Sequence, residues 1–125
     1  MTTQSKKVLV VEDEKDLREA LKTALSYEGF DVDTAEDGVE AFGKVHEFKP
    51  DLVLLDILMP KQNGIETLRA LRKEEWGKTV PVIVMTVLDD MEKLSDALEA
   101  GANEYLVKTD MSLGTIVEKV KAKLA

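Results

Sequence analysis

Apolar runs four residues long alternate with stretches of helical period along most of the chain, and this alternation sets its organisation. Val8-Leu9-Val10-Val11, Leu52-Val53-Leu54-Leu55 and Val82-Ile83-Val84-Met85 are continuously apolar. Such runs mark strands covered on both faces, as in a parallel sheet. Asp31-Val32-Asp33-Thr34-Ala35 alternates instead, the pattern of an edge strand. Strands are therefore expected near 7–12, 31–35, 51–56, 81–86 and 104–108. The first helical stripe is Leu17, Leu21, Ala24 and Leu25, stopped by Gly29. The second is Val39, Phe42 and Val45, opened by an Asp37/Glu40 capping box. The third, Ile65, Leu68 and Leu71, runs to about Trp76-Gly77. Met91, Leu94 and Leu98 mark a fourth, ending at Gly101, and Leu113, Ile116, Val117, Val120 and Leu124 a fifth after Ser112.

Alternating βα units with right-handed crossovers allow few sheet orders. An edge second strand with central first, third and fourth strands favours the flavodoxin-like order 2-1-3-4-5, an α/β (βα)5 three-layer sandwich. Its switch point lies between strands one and three, which puts Glu12 and Asp13 beside Asp56. Thr86 then ends the next strand, roughly 5 Å across, and Lys108 the one beyond, about 10 Å away. A short hydroxyl and a long amine suit those two gaps.

Length and charge narrow the classes. A chain of 125 residues, 44% hydrophobic, suits one domain spanning 1–125, with 1–5 expected as a flexible N-terminus. A formal net charge of -8 argues against nonspecific binding to nucleic acid or an anionic membrane. With no cysteine, disulfides, thiolate metal sites and thiol catalysis are excluded. No stretch approaches the roughly 18 apolar residues of a spanning helix, and the first apolar run is too short for a signal peptide. A soluble, cytoplasmic protein is expected.

The strand ends supply the chemistry. Glu12, Asp13 and Asp56 bring three carboxylates, Thr86 a hydroxyl and Lys108 an amine to one rim, where open α/β sheets bind ligands. Crowded carboxylates repel, and a hard divalent cation with oxygen ligands removes the conflict. Magnesium, or manganese in its place, fits Glu12, Asp13, Asp56 and a backbone carbonyl just after Asp56, at Leu58. An aspartate beside such a cation can attack phosphorus and become an aspartyl phosphate. Positioning and charge neutralisation do most of the remaining work, with Lys108 and Thr86 facing the phosphoryl oxygens.

Val-Val-Glu12-Asp13-Glu, Asp56-Ile-Leu-Met-Pro60 with Gly64, Thr86, and Ala100-Gly101-Ala102 leading to Tyr105 and Lys108 occur in that order. With these motifs the chain resembles, over essentially its whole length, a receiver domain of two-component response regulators. The resemblance implies that Asp56 accepts phosphate from a histidine kinase, a phosphotransfer protein or a small phosphodonor. It implies that Asp13 holds magnesium directly and Glu12 mainly through water. Thr86 would swing toward the phosphoryl group and Tyr105 inward, altering the face made by helix four, strand five and helix five. An effector protein or a fused output domain would read that face, and a phosphorylation-dependent homodimer is compatible with it.

The chain departs from the family at Thr109, where a proline usually follows the lysine, so that loop holds either a strained cis bond or a trans path. Val87 replaces a smaller residue, and Leu58 and Leu88 form an apolar collar expected to slow autodephosphorylation. Each site residue alone has a blander explanation, a helix cap for the acids and a solvated surface for Lys108. Their joint placement at four strand ends favours the site. Tyr105 alone would be an ordinary half-buried edge tyrosine. His46 is expected on the surface, and the runs Arg72-Lys73-Glu74-Glu75 and Glu118-Lys119-Val-Lys121 as solvated faces with local pairing. The leading function is a phosphorylation-driven switch and not an enzyme toward a separate metabolite. Two alternatives are a phosphate-independent scaffold and an aspartyl-phosphate hydrolase. The latter usually has a second aspartate where Leu58 stands.

Overall fold

The structure is a computed structural model that describes residues 5–56, 64–86, 91–107 and 112–124. The strands are β1 (Lys7–Val11), β2 (Asp31–Ala35), β3 (Leu52–Asp56), β4 (Val82–Thr86) and β5 (Glu104–Val107). The helices are α1 (Lys15–Tyr27), α2 (Gly38–Phe48), α3 (Gly64–Lys73), α4 (Met91–Glu99) and α5 (Leu113–Leu124), with a 3-10 turn at Trp76–Lys78. All four strand pairings are parallel, in the order β2-β1-β3-β4-β5. The flavodoxin-like order expected from the pattern is the one found.

Strand periodicity divides the core in two. Leu9, Val11, Val53, Leu55, Val82 and Val84 face α2 and α3, meeting Ala41, Val45, Leu68 and Leu71. Their neighbours Val8, Val10, Leu52, Leu54, Ile83 and Met85 face α1 and α5, meeting Leu21, Leu25, Ile116, Val117 and Val120. Each central strand thus feeds both layers, which explains its unbroken apolar run. Burying a leucine such as Leu21 or Leu25 contributes roughly 1.5–3 kcal/mol. β2 is indeed an edge, exposed at Asp31 and only half-buried over Val32–Thr34.

Helix ends follow local chemistry. The Asp37 carboxylate accepts the Glu40 N–H at 2.9 Å, as the capping pattern predicts. Ser112 Oγ accepts from Thr115 N–H at 3.2 Å at the start of α5. Gly29 and Gly101 take φ of 96° and 110°, the left-handed values that end helices. Lys49 adopts the same region at φ 51°, closing α2 without a glycine.

Three details differ from expectation. Val39 is 66% exposed, because α2 buries Gly38, Ala41 and Val45, and Val39 lies two residues, about 200°, from Ala41. On α4, Leu98 is 48% exposed while Ala97 is buried, and on α5 Leu113 is 37% exposed. The charge runs are not merely local either. Arg72, half-buried, donates to Gly101 O (2.7 Å from Nη2, 3.2 Å from Nε), Gly77 O (2.8 Å), Val80 O (2.6 Å) and Asn103 Oδ1 (3.0 Å). Burial lowers the pKa of this guanidinium from its ordinary value. Lys119 pairs with Glu104 on β5 at 2.9 Å, and Lys121 with Glu28 after α1 at 3.1 Å. Lys121 also keeps a local pair with Glu118 at 3.9 Å. Among the described residues no helix is long and apolar enough to cross a membrane.

Candidate phosphoryl-accepting site

The sheet register builds the rim. Val11 sits opposite Leu55, and Asp56 opposite Met85, so the residues following β1 and ending β3 are neighbours at the carboxyl edge. Glu12 is held there by its own N–H, which donates to Ala35 O at 3.0 Å. One carboxylate oxygen from each of Glu12, Asp13 and Asp56 lies within 4.8 Å of the others. Glu12 is fully buried and Asp56 is 2% exposed, while Asp13 faces solvent.

This donor set fits a hard cation: all oxygen, dense in negative charge, and open on one side for waters and substrate. Magnesium binds oxygen at 2.0–2.1 Å, which puts opposite ligands about 4.2 Å apart, so a set this close suits direct and water-bridged ligation together. Glu12 carries a further contact, accepting the Glu14 N–H on Oε2 at 3.1 Å. Arg18 on α1 donates from Nη1 to Glu12 O (3.0 Å) and to Asp13 O (3.3 Å). Nothing in the sequence pattern singled out Arg18; its position four residues after Glu14, on the first turns of α1, was the available signal.

The remaining predicted residues fall variously. Thr86 is the last residue of β4, paired with Val107 and one step past the Met85–Asp56 pair. Tyr105 lies on β5 with 42% of its surface exposed, beside a groove lined by Leu98, Glu104 and Lys119. Lys108, Leu58, Val87, Leu88 and Thr109 lie outside the described residues, as do residues 1–4 of the flexible start expected at 1–5. His46 is half-exposed on α2, with Nδ1 3.0 Å from Phe42 O and Nε2 3.2 Å from Glu74 just after α3, away from the acidic rim.

The sequence matches the family model for the response regulator receiver domain over residues 8–121. The chain belongs to that family. Response regulator MprA of Mycobacterium sp. (strain KMS) is 37% identical over 118 residues, covering 94% of this chain and 50% of that protein. MprA of Mycobacterium bovis (strain BCG / Pasteur 1173P2) is 37% identical over 120 residues, 96% of this chain and 51% of its own. The receiver thus spans about half the length of these curated relatives. Among solved structures, chemotaxis protein CheY4 of Vibrio cholerae superposes with a TM-score of 0.90 at 29% identity, covering 95% of this chain and 98% of that one. A CheY-like receiver domain protein from Methanospirillum hungatei JF-1 also gives 0.90 at 29% identity, over 97% and 94%. Receivers serve two-component signalling, and the acidic cluster of this one is compatible with magnesium.

Proposed function

We propose that this receiver is a phosphorylation-driven switch in which Asp56 is the phosphoacceptor. The observation that carries the proposal is the convergence of Glu12, Asp13 and Asp56 at the end of the sheet. A carboxylate oxygen of Asp56 attacks the donor phosphorus; the bond from phosphorus to the histidine nitrogen, or to the oxygen of a small phosphodonor, breaks and the leaving group keeps its electron pair. Asp13 would hold magnesium directly and Glu12 mainly through water, with Asp56 and the Leu58 carbonyl as the further protein ligands. When bound, the cation supplies charge neutralisation at the phosphoryl oxygens. Thr86 donates to a phosphoryl oxygen and Lys108 pairs with another.

Signalling follows from the edge of the sheet. Tyr105, exposed on β5, turns inward as Thr86 moves, remodelling the α4-β5-α5 face that an effector or a fused output domain reads. The donor is a sensor histidine kinase or a phosphotransfer protein. Output resides outside this domain, in agreement with relatives twice its length.

Acetyl phosphate with magnesium, followed by intact mass, tests the proposal. Wild type is expected to gain one phosphoryl adduct and Asp56→Asn none. Continuous turnover of phosphodonor without an adduct would indicate a hydrolase, and neither adduct nor turnover a scaffold.

A further inference from the structure

We infer that Arg18 is a positioning residue for the metal-ligating carboxylates, acting through the backbone of the loop between β1 and α1. This rests on reading Glu12, Asp13 and Asp56 as a cation site. Glu14 is the residue that opens α1, with φ -77° and ψ 115°, and its side chain makes no capping hydrogen bond. The Glu12 carboxylate takes the Glu14 N–H instead, at 3.1 Å. From the next turn, Arg18 reaches back to the carbonyls of Glu12 and Asp13, at 3.0 and 3.3 Å, while its own N–H donates to Glu14 O at 2.9 Å.

The loop is therefore tied at both levels. One bond fixes the Glu12 side chain against the backbone, and the guanidinium fixes the two peptide planes on either side of Asp13. The orientation of those planes sets where the Cα–Cβ bond of Asp13 points. A ligand on an otherwise untethered, solvent-facing loop would sweep several ångströms, whereas a metal site tolerates about 0.2 Å. Outer contacts of this kind orient first ligands, and losing them typically costs 10–100-fold in metal affinity.

Charge makes the inference decidable. A cation beside an acidic rim opposes uptake of a divalent ion, so removing its charge alone tightens metal binding. Removing the positioning contacts weakens it. The two effects have opposite signs. Lys15, exposed at the start of the same helix, supplies the control, since Lys15→Met removes an equal charge next to the loop.

Calorimetric titration with manganese is run on wild type, Arg18→Met, Arg18→Lys and Lys15→Met, with thermal melts to establish that each is folded. Arg18→Met is expected to bind manganese about tenfold more weakly, Lys15→Met as tightly as wild type or more so, and Arg18→Lys in between. In the metal-free protein the Glu14 amide should exchange severalfold faster in Arg18→Met and not in Lys15→Met. Arg18→Met binding as tightly as Lys15→Met, or an unchanged Glu14 amide, overturns the inference while leaving the cation site standing. If Arg18→Met does not fold, Arg18→Lys carries the comparison, and wild-type affinity in that variant overturns it. Wild type that takes up no manganese overturns both.

Discussion

Two residues carry more structural consequence than their chemistry advertises. Gly77 sits where the chain folds back over the end of α3, and a Cβ there would lie 2.0 Å from Leu71 O. Gly77→Ala should destabilise by about 2–4 kcal/mol, because backbone rather than a flexible side chain must move. A lowered urea midpoint with an unchanged slope would verify this. Arg72 ties the end of α3 to the turns before β4 and β5 through five donated bonds. Lysine cannot reproduce that fork, so Arg72→Lys should cost about 1–3 kcal/mol while leaving phosphoryl labelling of Asp56 intact. Loss of labelling in a folded Arg72→Lys would contradict the purely architectural role. The acids of the site were legible because each follows an unbroken apolar run. Arg72 and Arg18 were not. Their partners are carbonyls, which leave no mark on the sequence, and Gly101 lies 29 positions from Arg72.

At the level of elements, strands were read more faithfully than helix faces. A central strand is apolar throughout, so a shift of a residue leaves its identity clear. A helix stripe shifted by one residue turns about 100°, which is how Leu98 was favoured over the buried Ala97 on α4. The end of α2 was marked only by Pro50, since a lysine takes the conformation glycine usually fills. Left-handed backbone costs about 1–2 kcal/mol outside glycine, and glycine loses roughly 0.5–1 kcal/mol more chain entropy on folding. Lys49→Gly should therefore stabilise by about 0.5–1 kcal/mol net. A lower denaturation midpoint in that variant would show that Lys49 earns its place through contacts instead. The charge run on α5 was read only in part: besides the local Glu118–Lys121 pair, Lys119 reaches Glu104 on β5 and Lys121 reaches Glu28 just after α1. The Lys119–Glu104 pair is half-buried and the Lys121–Glu28 pair exposed, and the Glu28 hydrogen bond foremost, then the nearby Glu118 charge, raises the pKa of Lys121.

Over the whole molecule, the net charge of -8 and the buried acids combine. A cation that binds only the folded state stabilises it by RT ln(1 + [L]/Kd), about 1.4 kcal/mol at ten times Kd. For a domain of this size that should raise the melting temperature by roughly 4–6 °C. Magnesium is expected to produce the shift in wild type and to lose most of it in Asp13→Asn; an equal shift in both would point to general screening. The sheet order was legible because one polar strand and three apolar ones leave few arrangements, and that order alone brings β1 and β3 together. What the order could not supply was the loop geometry around the acids, which depends on backbone hydrogen bonds.

Both margins of the sheet end in acid. β2 carries Asp31 and Asp33, and β5, only four residues long, carries Glu104 gripped by Lys119. An open margin is a template on which further chains can stack, and like charges discourage a second copy from adding there. With Asp31 and Asp33 both changed to threonine, a better strand former, fibre growth followed by thioflavin fluorescence should start sooner. The acidity suited to an ion at one rim thus has a counterpart along the flanks, where it disfavours edge-to-edge stacking of further copies.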